Sequence, residues 1–139
     1  MNIVYSYFVL DIVHRGHLLM LKNSKAIAGP DGRLIVGIVS DEEVLVKKGK
    51  APTLDFSERL ELANSIQYVD AVVGQQNYTP YENVTNIAPN ILMESESHDE
   101  AQINEGRRLM KELGGRVIVM PYFHDQSSTL ITASEQPTE

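Results

Sequence analysis

The feature that most constrains the fold of this 139-residue chain is a regular alternation of short apolar runs with segments of helical pattern. Each apolar run is continuous rather than alternating, which is typical of strands covered on both faces of a sheet. Strands separated by helices are joined by right-handed crossovers and therefore run parallel. The sequence predicts a doubly wound α/β fold with a mainly parallel five-stranded sheet and helices on both faces. The predicted strands are Ile3–Leu10, Leu34–Val39, Val69–Val73, Asn90–Met93 and Arg116–Met120.

The helices between these strands are marked by capping and stop signals. One helix is expected from His14 to the Gly- and Pro-containing turn at residues 29–32. Ser40 is placed to begin a second helix, because the three acidic residues after it favour the positive end of a helix. Asp55 followed by Glu58 predicts a capping box at the start of a third. The last three helices are expected over Asp55–Ile66, near Tyr81–Asn86 and over Asp99–Leu113.

Length and composition favour one domain and exclude several classes of protein. At roughly 100–200 residues per domain, we expect one domain over residues 1–132, with a frayed tail at 133–139. Twelve basic against nineteen acidic residues give a net charge of −7, which argues against general nucleic-acid binding. The absence of cysteine excludes disulfides, thiol catalysis and thiolate metal sites. Since we find neither a signal-peptide pattern nor an apolar run of the roughly 20 residues that span a membrane, a cytoplasmic protein without membrane contact is expected.

The most informative segment follows the first predicted strand and runs Asp11-Ile12-Val13-His14-Arg15-Gly16-His17. Ligands of such sheets bind beyond the carboxyl ends of the strands. Two imidazoles in a turn that opens a helix can face one ligand, and Gly16 lets a phosphate approach the backbone. The helix N-terminus adds partial positive charge. These parts suit the binding of a triphosphate, although His14 and His17 could instead only cap the helix or ligate a metal weakly.

This segment resembles the HxGH motif of the cytidylyltransferases, a branch of the nucleotidyltransferase superfamily whose first motif runs Gly-Thr-Phe-Asp-x-x-His-x-Gly-His. The resemblance covers roughly residues 3 to 132. Further landmarks of the family are Ser/Thr-Asp-Glu after the second strand, a lysine-bearing loop, a helix that opens with Glu-Arg, and Gly-Ile-Ser-Ser-Thr near the end. The matching residues here are Asp11, His14, Gly16 and His17, then Ser40-Asp41-Glu42, Lys47, Lys48 and Lys50, Glu58-Arg59, and Ser127-Ser128-Thr129.

The resemblance implies a Rossmann-like enzyme that transfers CMP from CTP to a small anionic phosphonate or phosphate and releases pyrophosphate. The last landmark is most similar to that of phosphonate cytidylyltransferases from antibiotic pathways, and glycerol-3-phosphate cytidylyltransferase is also similar. A homodimer is implied, with Mg²⁺ held mainly by the nucleotide phosphates and by no dedicated protein ligand. His14, His17 and Lys48 are then the expected catalytic residues. The expected nucleotide- and phosphate-binding residues are Asp11, Gly16, Lys47, Lys50, Arg59, Ser127, Ser128 and Thr129.

The chain departs from the family pattern where the nucleotide base and the acceptor are recognised. Bulky residues 8–10 stand where the family has Gly-Thr before the motif, residues 95–98 replace Gly-Asp-Asp-Trp, and Phe123 replaces an arginine. We take Glu96, His98 and His124 as candidates for the acceptor pocket. Two alternatives stay open, an ATP-dependent adenylyltransferase of the same superfamily and a nucleotide-binding regulatory domain without turnover.

The other landmarks also have structural interpretations. The run of lysines at 47–50 could be a solvated loop. Capping of a helix N-terminus is a sufficient reason for the cluster Ser127-Ser128-Thr129. Arg59 lies in the first turn of a helix, where a cation opposes the helix dipole. It therefore needs a partner, which we expect to be Asp55, Glu58 or a ligand phosphate. Asp11 is expected to order the histidine turn.

Overall fold

A computed structural model describes residues 1–121 of the chain. His124, Phe123, the cluster Ser127-Ser128-Thr129 and the tail 133–139 lie outside the described residues. Within residues 1–121, five strands alternate with five helices, two of which, α2 and α3, lie between the second and third strands. The elements are β1 (Ile3–Phe8), α1 (Arg15–Ala28), β2 (Arg33–Val39), α2 (Asp41–Lys48), α3 (Phe56–Asn64), β3 (Ala71–Gln75), α4 (Tyr81–Ile87), β4 (Ile91–Ser95), α5 (Glu100–Glu112) and β5 (Arg116–Met120).

The five strands form one sheet in the order β3-β2-β1-β4-β5, and every neighbouring pair is parallel. Helices α1 and α3 cover one face, where buried apolar side chains from the sheet meet Leu21 of α1 and Ala63 of α3. Helices α4 and α5 cover the other face, with Val84 and Met110 against the tyrosines of β1. The predicted doubly wound α/β fold is confirmed. None of the helices within residues 1–121 combines the length and the apolar character that crossing a bilayer requires.

The observed strand ends differ from the predicted ones where side chains or backbone conformation interrupt the pairing. β1 ends at Phe8 rather than at Leu10, because Leu10 has a left-handed backbone with φ of 60° that cannot continue a strand. β3 begins at Ala71 rather than at Val69. The carboxylate of the intervening Asp70 accepts the backbone N–H of Leu34 at 2.8 Å. This bond to a side chain lies just before the first regular backbone pair of β2 and β3.

Lys47 and Lys48 belong to the last turn of α2 and not to the lysine-bearing loop that we expected at residues 47–50. The helix begins after Ser40, as expected, and ends at Gly49, which has a left-handed backbone with φ of 81°. Lysines in a last turn face the negative end of the helix dipole and are stabilising there. The prediction of a loop is therefore wrong for its first two lysines, and Lys50 follows the helix.

Candidate active site at the strand-order switch

The candidate site lies at the carboxyl ends of β1 and β4, where the strand order reverses direction. The chain leaves β1 towards β2 on one side of this point and reaches β4 on the other, which opens a crevice between the two strands. A cleft occupies the position. Groups that line it include the imidazoles of His14, His17 and His98, together with Gly16, Tyr7 and Ser95.

His14 and His17 form a stacked pair that also caps α1. Their ring centroids lie 4.0 Å apart with an interplanar angle of 29°. His14 is the N-cap residue and its Nδ1 accepts the backbone N–H of Gly16 at 3.0 Å, while His17 Nδ1 accepts the backbone N–H of His14 at 3.3 Å. Because each Nδ1 is an acceptor, a neutral ring carries its proton on Nε2. The capping interpretation is correct, and in each neutral ring the N–H donor is then Nε2–H.

Burial disfavours the charged form of His14. His14 is 9% exposed and His17 is 3% exposed, and the ring of Phe8 meets the edge of His17 with centroids 5.9 Å apart. Desolvation lowers the pKa of His14 below its ordinary value of 6.5. His14 is therefore a neutral hydrogen-bond donor near pH 7. The backbone N–H of Gly16 donates to His14 and does not face a ligand. The glycine therefore contributes room in the cleft and not a hydrogen-bond donor.

Asp11 ties the segment before α1 to the segment after α2. Its two carboxylate oxygens accept the backbone N–H groups of Thr53 and Leu54, each at 2.7 Å. We expected Asp11 to order the histidine turn, and the structure shows that it organises the entry to α3 instead. By accepting two backbone N–H groups, this carboxylate holds the two loops together.

Arg59 is completely buried and is paired with Asp41, whereas we expected its partner to be Asp55, Glu58 or a ligand phosphate. Asp55 and Glu58 are occupied by the predicted capping box of α3. The Nη2 of Arg59 donates to Asp41 at 2.7 Å, its Nη1 donates to the carbonyl of Val9 at 2.8 Å, and its Nε donates to a carbonyl just before α3 at 3.1 Å. Arg59 is not among the residues of 1–121 that line the cleft, and its guanidinium would have to leave these contacts to bind a phosphate.

The three lysines are not brought to the cleft in the described part of the chain. Lys47 is exposed and its Nζ lies 5.4 Å from the centre of the Tyr78 ring, within cation–π range. Lys48 is half-buried and Lys50 is exposed. None of the three is among the residues of 1–121 that line the cleft. Contact with a ligand there would require movement of the end of α2 or of the segment that follows it.

The acceptor candidates occupy different positions. His98, in the turn after β4, lines the cleft. Glu96 lies in the same turn with an exposed side chain and does not line the cleft formed by residues 1–121. His124 lies outside the described residues.

A buried polar cluster beside His98 was not predicted from the sequence. The carboxylate of Glu94 is 1% exposed and accepts the hydroxyl of Tyr7, and Gln102 Nε2 donates to that hydroxyl at 2.6 Å. His98 Nδ1 lies 3.2 Å from Glu94. Burial and the adjacent Glu94 charge both raise the pKa of Tyr7, which therefore stays neutral. The one sequence feature that could have indicated this cluster is Glu94, a carboxylate that directly follows the apolar run Ile91–Met93.

The acidic groups near the cleft are already engaged by other partners in the described part of the chain. Asp11 is engaged by backbone donors, Asp41 by Arg59, and Glu94 by Tyr7 and His98. Within residues 1–121 no group of three or more acidic, histidine or cysteine side chains is arranged to hold a metal ion. Mg²⁺ commonly keeps its waters and binds through substrate phosphates, which is compatible with this donor set.

Residues 9–135 match the family described as cytidylyltransferase-like. Among curated proteins, the chain is 34% identical over 124 residues to FAD synthase of Korarchaeum cryptofilum, covering 87% of this chain and 82% of that protein. It is 28% identical over 131 residues to D-beta-D-heptose 1-phosphate adenylyltransferase of Bordetella bronchiseptica, covering 93% and 78%. It also matches the bifunctional protein HldE of Rhodopseudomonas palustris at 32% identity, but spans only 25% of that protein's length.

A solved structure shares the fold. The crystal structure of the lipopolysaccharide core biosynthesis protein from Thermoplasma volcanium superposes with a TM-score of 0.70 at 28% sequence identity. The match covers 88% of this chain and 97% of that one. The α/β fold described above is thus a known architecture.

Proposed function

The chain belongs to the cytidylyltransferase-like family, and from that membership we propose that it transfers AMP from ATP to the phosphate group of a small acceptor and releases pyrophosphate. The observation that carries the proposal is the stacked pair of His14 and His17 at the start of α1, at the strand-order switch. The choice of ATP is supported by the relatives, since one is named an adenylyltransferase and the other makes FAD, which contains an adenylyl group.

The reaction that suits this site is an in-line substitution at the α-phosphorus of ATP. An oxygen of the acceptor phosphate forms a new bond to that phosphorus, the bond to the bridging α–β oxygen breaks, and pyrophosphate leaves with the electron pair. The acceptor oxygen is already ionised at neutral pH, so no general base is required. Catalysis then consists of positioning and of stabilising the charge that moves onto the leaving group.

The imidazoles of His14 and His17 are suited to that task as preorganised donors. Their Nδ1 atoms are fixed by backbone N–H groups, so each Nε2–H has a defined direction. Donors that are held in place by the fold lose little freedom when the phosphates bind. Mg²⁺, bound through the nucleotide phosphates, would neutralise part of the triphosphate charge. Lys48, with Lys47 and Lys50, would add positive charge after a movement of the end of α2.

A second candidate is the CTP-dependent transfer to a small phosphonate that the motif resemblance implies. It is favoured by the form of the last landmark, Ser127-Ser128-Thr129, and by the description of the family. The two candidates share the phosphate chemistry of His14 and His17 and differ in the nucleotide base and the acceptor. A regulatory domain that binds nucleotide without turnover is the third possible outcome.

The test is a pyrophosphate-release assay with ATP and with CTP. Each nucleotide is combined with Mg²⁺ and with FMN, sugar 1-phosphates and small phosphonates. We expect turnover with ATP and a phosphate monoester. Turnover only with CTP and phosphonates would favour the second candidate, and nucleotide binding without pyrophosphate release from any combination would favour the regulatory interpretation.

The homodimer implied by the family resemblance is part of the proposal. Leu45 and Val46 of α2 are 50% and 78% exposed and offer apolar surface for such contact. Light scattering at high protein concentration measures the mass directly, and the mass of a single chain would contradict a dimer without affecting the proposed reaction.

A further inference from the structure

Phe8, the last residue of β1, brings an aromatic ring against the histidine pair. The rings of Phe8 and His17 stand nearly perpendicular, at 85°, with their centroids 5.9 Å apart. Phe8 is 4% exposed, belongs to the apolar core on the face that α1 covers, and also lines the cleft. One side chain therefore connects the packing of the sheet with a residue of the proposed active site.

The orientation of the His17 ring depends on packing as well as on hydrogen bonding. Its Nδ1 accepts the backbone N–H of His14 at 3.3 Å, which is long for such a bond and leaves the ring room to tilt. The ring of His14 stacks on it at 4.0 Å, but stacked rings can slide past one another. The perpendicular ring of Phe8 opposes such sliding, and this geometry is one that aromatic pairs favour. These contacts together restrict the ring, and Phe8 supplies the one that comes from the sheet.

The side chain at position 8 is a departure from the family motif. The motif has Gly-Thr-Phe before its aspartate, so its glycine falls on Phe8. A glycine offers an imidazole no side chain to pack against. In this chain the larger residue is accommodated without disturbing the start of α1, because the capping box of His14 and His17 is intact. The contact between Phe8 and His17 is therefore an addition to the motif and not a replacement for one of its parts.

We propose that Phe8 is a positioning residue for the transfer reaction, whose ring sets the orientation of the His17 imidazole relative to the phosphates of the nucleotide. This inference rests on the proposed function and deepens it. His17 is the residue that meets the phosphates, and Phe8 acts through His17. A donor that is present but poorly directed still binds the ground state, whereas it loses stabilisation of the transition state, where the geometry is most exacting.

The first test compares two variants of Phe8 by pyrophosphate release with ATP and the acceptor that supports turnover. Phe8→Leu keeps a buried apolar side chain but removes the ring. It should lower kcat about tenfold, the upper end of the contribution of one perpendicular aromatic pair, and change the ATP KM less than twofold. Phe8→Tyr keeps the ring and should restore most of the lost kcat. Phe8→Met fills the space in another way and should resemble Phe8→Leu, so the result does not depend on how one variant packs.

A matched control separates this effect from a general loss of stability. Leu34 belongs to the same buried core cluster but lies near the amino end of β2, away from the carboxyl ends where the cleft is. Leu34→Val shortens a core side chain and should lower the thermal midpoint while leaving kcat unchanged. A merely structural role for Phe8 would make the two positions behave alike, with kcat following the folded fraction in both.

The second readout follows the His17 ring without turnover. An aromatic ring shifts the NMR signals of protons close to it, so the imidazole signals of His17 report on the ring at position 8. The chain has four histidines, and His17→Gln assigns the signal of His17. Phe8→Leu should shift that signal, Phe8→Tyr should shift it less, and Leu34→Val should leave it in place. Amide exchange in the first turn of α1 should stay as in the wild type in all three, since the capping box does not depend on Phe8.

The outcomes distinguish this inference from the proposed function. Wild-type or higher kcat in Phe8→Leu would overturn the inference and make the ring a filler or an obstruction of the cleft. An unmoved His17 signal in Phe8→Leu, or faster exchange in the first turn of α1, would also overturn it, because Phe8 would then not act through the orientation of His17. In each of these cases pyrophosphate release by the wild type stands. A wild type that releases no pyrophosphate with any nucleotide and acceptor would contradict the proposed function itself.

Discussion

The guanidinium of Arg59 lies 2.7 Å from the carboxylate of Asp41, and no part of the Arg59 side chain reaches solvent. A second donor of the same guanidinium holds the carbonyl of Val9 at 2.8 Å, just before the segment that leads to the histidines. The pair therefore joins the start of α2, the start of α3 and the end of β1. Asp41 and Arg59 each belong to one of the family landmarks, and through this pair both landmarks help to position the segments around the site.

Removing the Arg59 side chain should destabilise the protein strongly. Arg59→Met fills part of the volume but leaves the Val9 carbonyl and the partly exposed Asp41 without their donor, and a buried acceptor left unsatisfied costs about 1–3 kcal/mol. Urea denaturation measures the loss. Arg107→Met, at an exposed position of α5, is the matched control and should change stability by less than about 0.5 kcal/mol. Equal stabilities of the two variants would show that the Arg59 contacts do not support the fold.

Replacing the histidines by other capping residues should separate their two roles. Asn is a favourable N-cap, and Gln at the third helical position completes a capping box, so His14→Asn and His17→Gln should keep α1 intact. Each should nevertheless lower turnover by about 100-fold or more, the scale for losing one stabilising donor. Pyrophosphate release and thermal unfolding are measured on the same samples. Normal turnover in both variants would leave the histidines with capping alone.

The stability of the fold should fall as the solution is acidified below pH 6.5. Burial lowers the pKa of His14 in the folded state, so the unfolded chain binds more protons between that lowered pKa and 6.5. The contribution of neutral His14 is fully present above 6.5 and is lost as pH falls through the folded pKa. Urea denaturation across this range should show a weaker pH dependence for His14→Asn than for the wild type. Parallel curves for the two proteins would contradict the assignment to His14.

The lysine at the end of α2 should act in the transition state more than in binding. Lys48→Ala should lower kcat about tenfold or more and change the ATP KM little, because charge stabilisation is greatest when the leaving group departs. Lys111→Ala, an exposed lysine in the last turn of α5, is the control for loss of one charge. If Lys47→Ala, Lys48→Ala and Lys50→Ala all turn over like the control, the lysines are a solvated charge cluster only.

The sheet could be predicted closely because its signals are local. Continuous apolar runs identify five parallel strands, and β5 begins and ends at the predicted residues. The capping box of Asp55 and Glu58 also forms as the spacing predicts. The length of α2 could not be predicted from its start at Ser40, since Gly49 ends it only after two lysines have joined the helix.

The site was less predictable where its contacts connect distant parts of the chain. The partner of Arg59 is 18 positions away, on another helix, because the nearer carboxylates are consumed by their own capping box. The cluster around Glu94 takes Tyr7 from β1 and Gln102 from α5, and these meet only after the strands have paired. Because these residues are far apart in the sequence, their spacing does not predict that they come into contact.

Since the two imidazoles of α1 close its first turn, occupancy of the site and fraying of the helix are thermodynamically linked. A chain in which that turn opens has no binding site, so a nucleotide selects the closed turn. A ligand at 100 times its Kd stabilises the state it binds by about 2.7 kcal/mol, and the opening of the turn must overcome the same amount. Amide exchange in the first turns of α1 therefore reports directly on whether the nucleotide is bound.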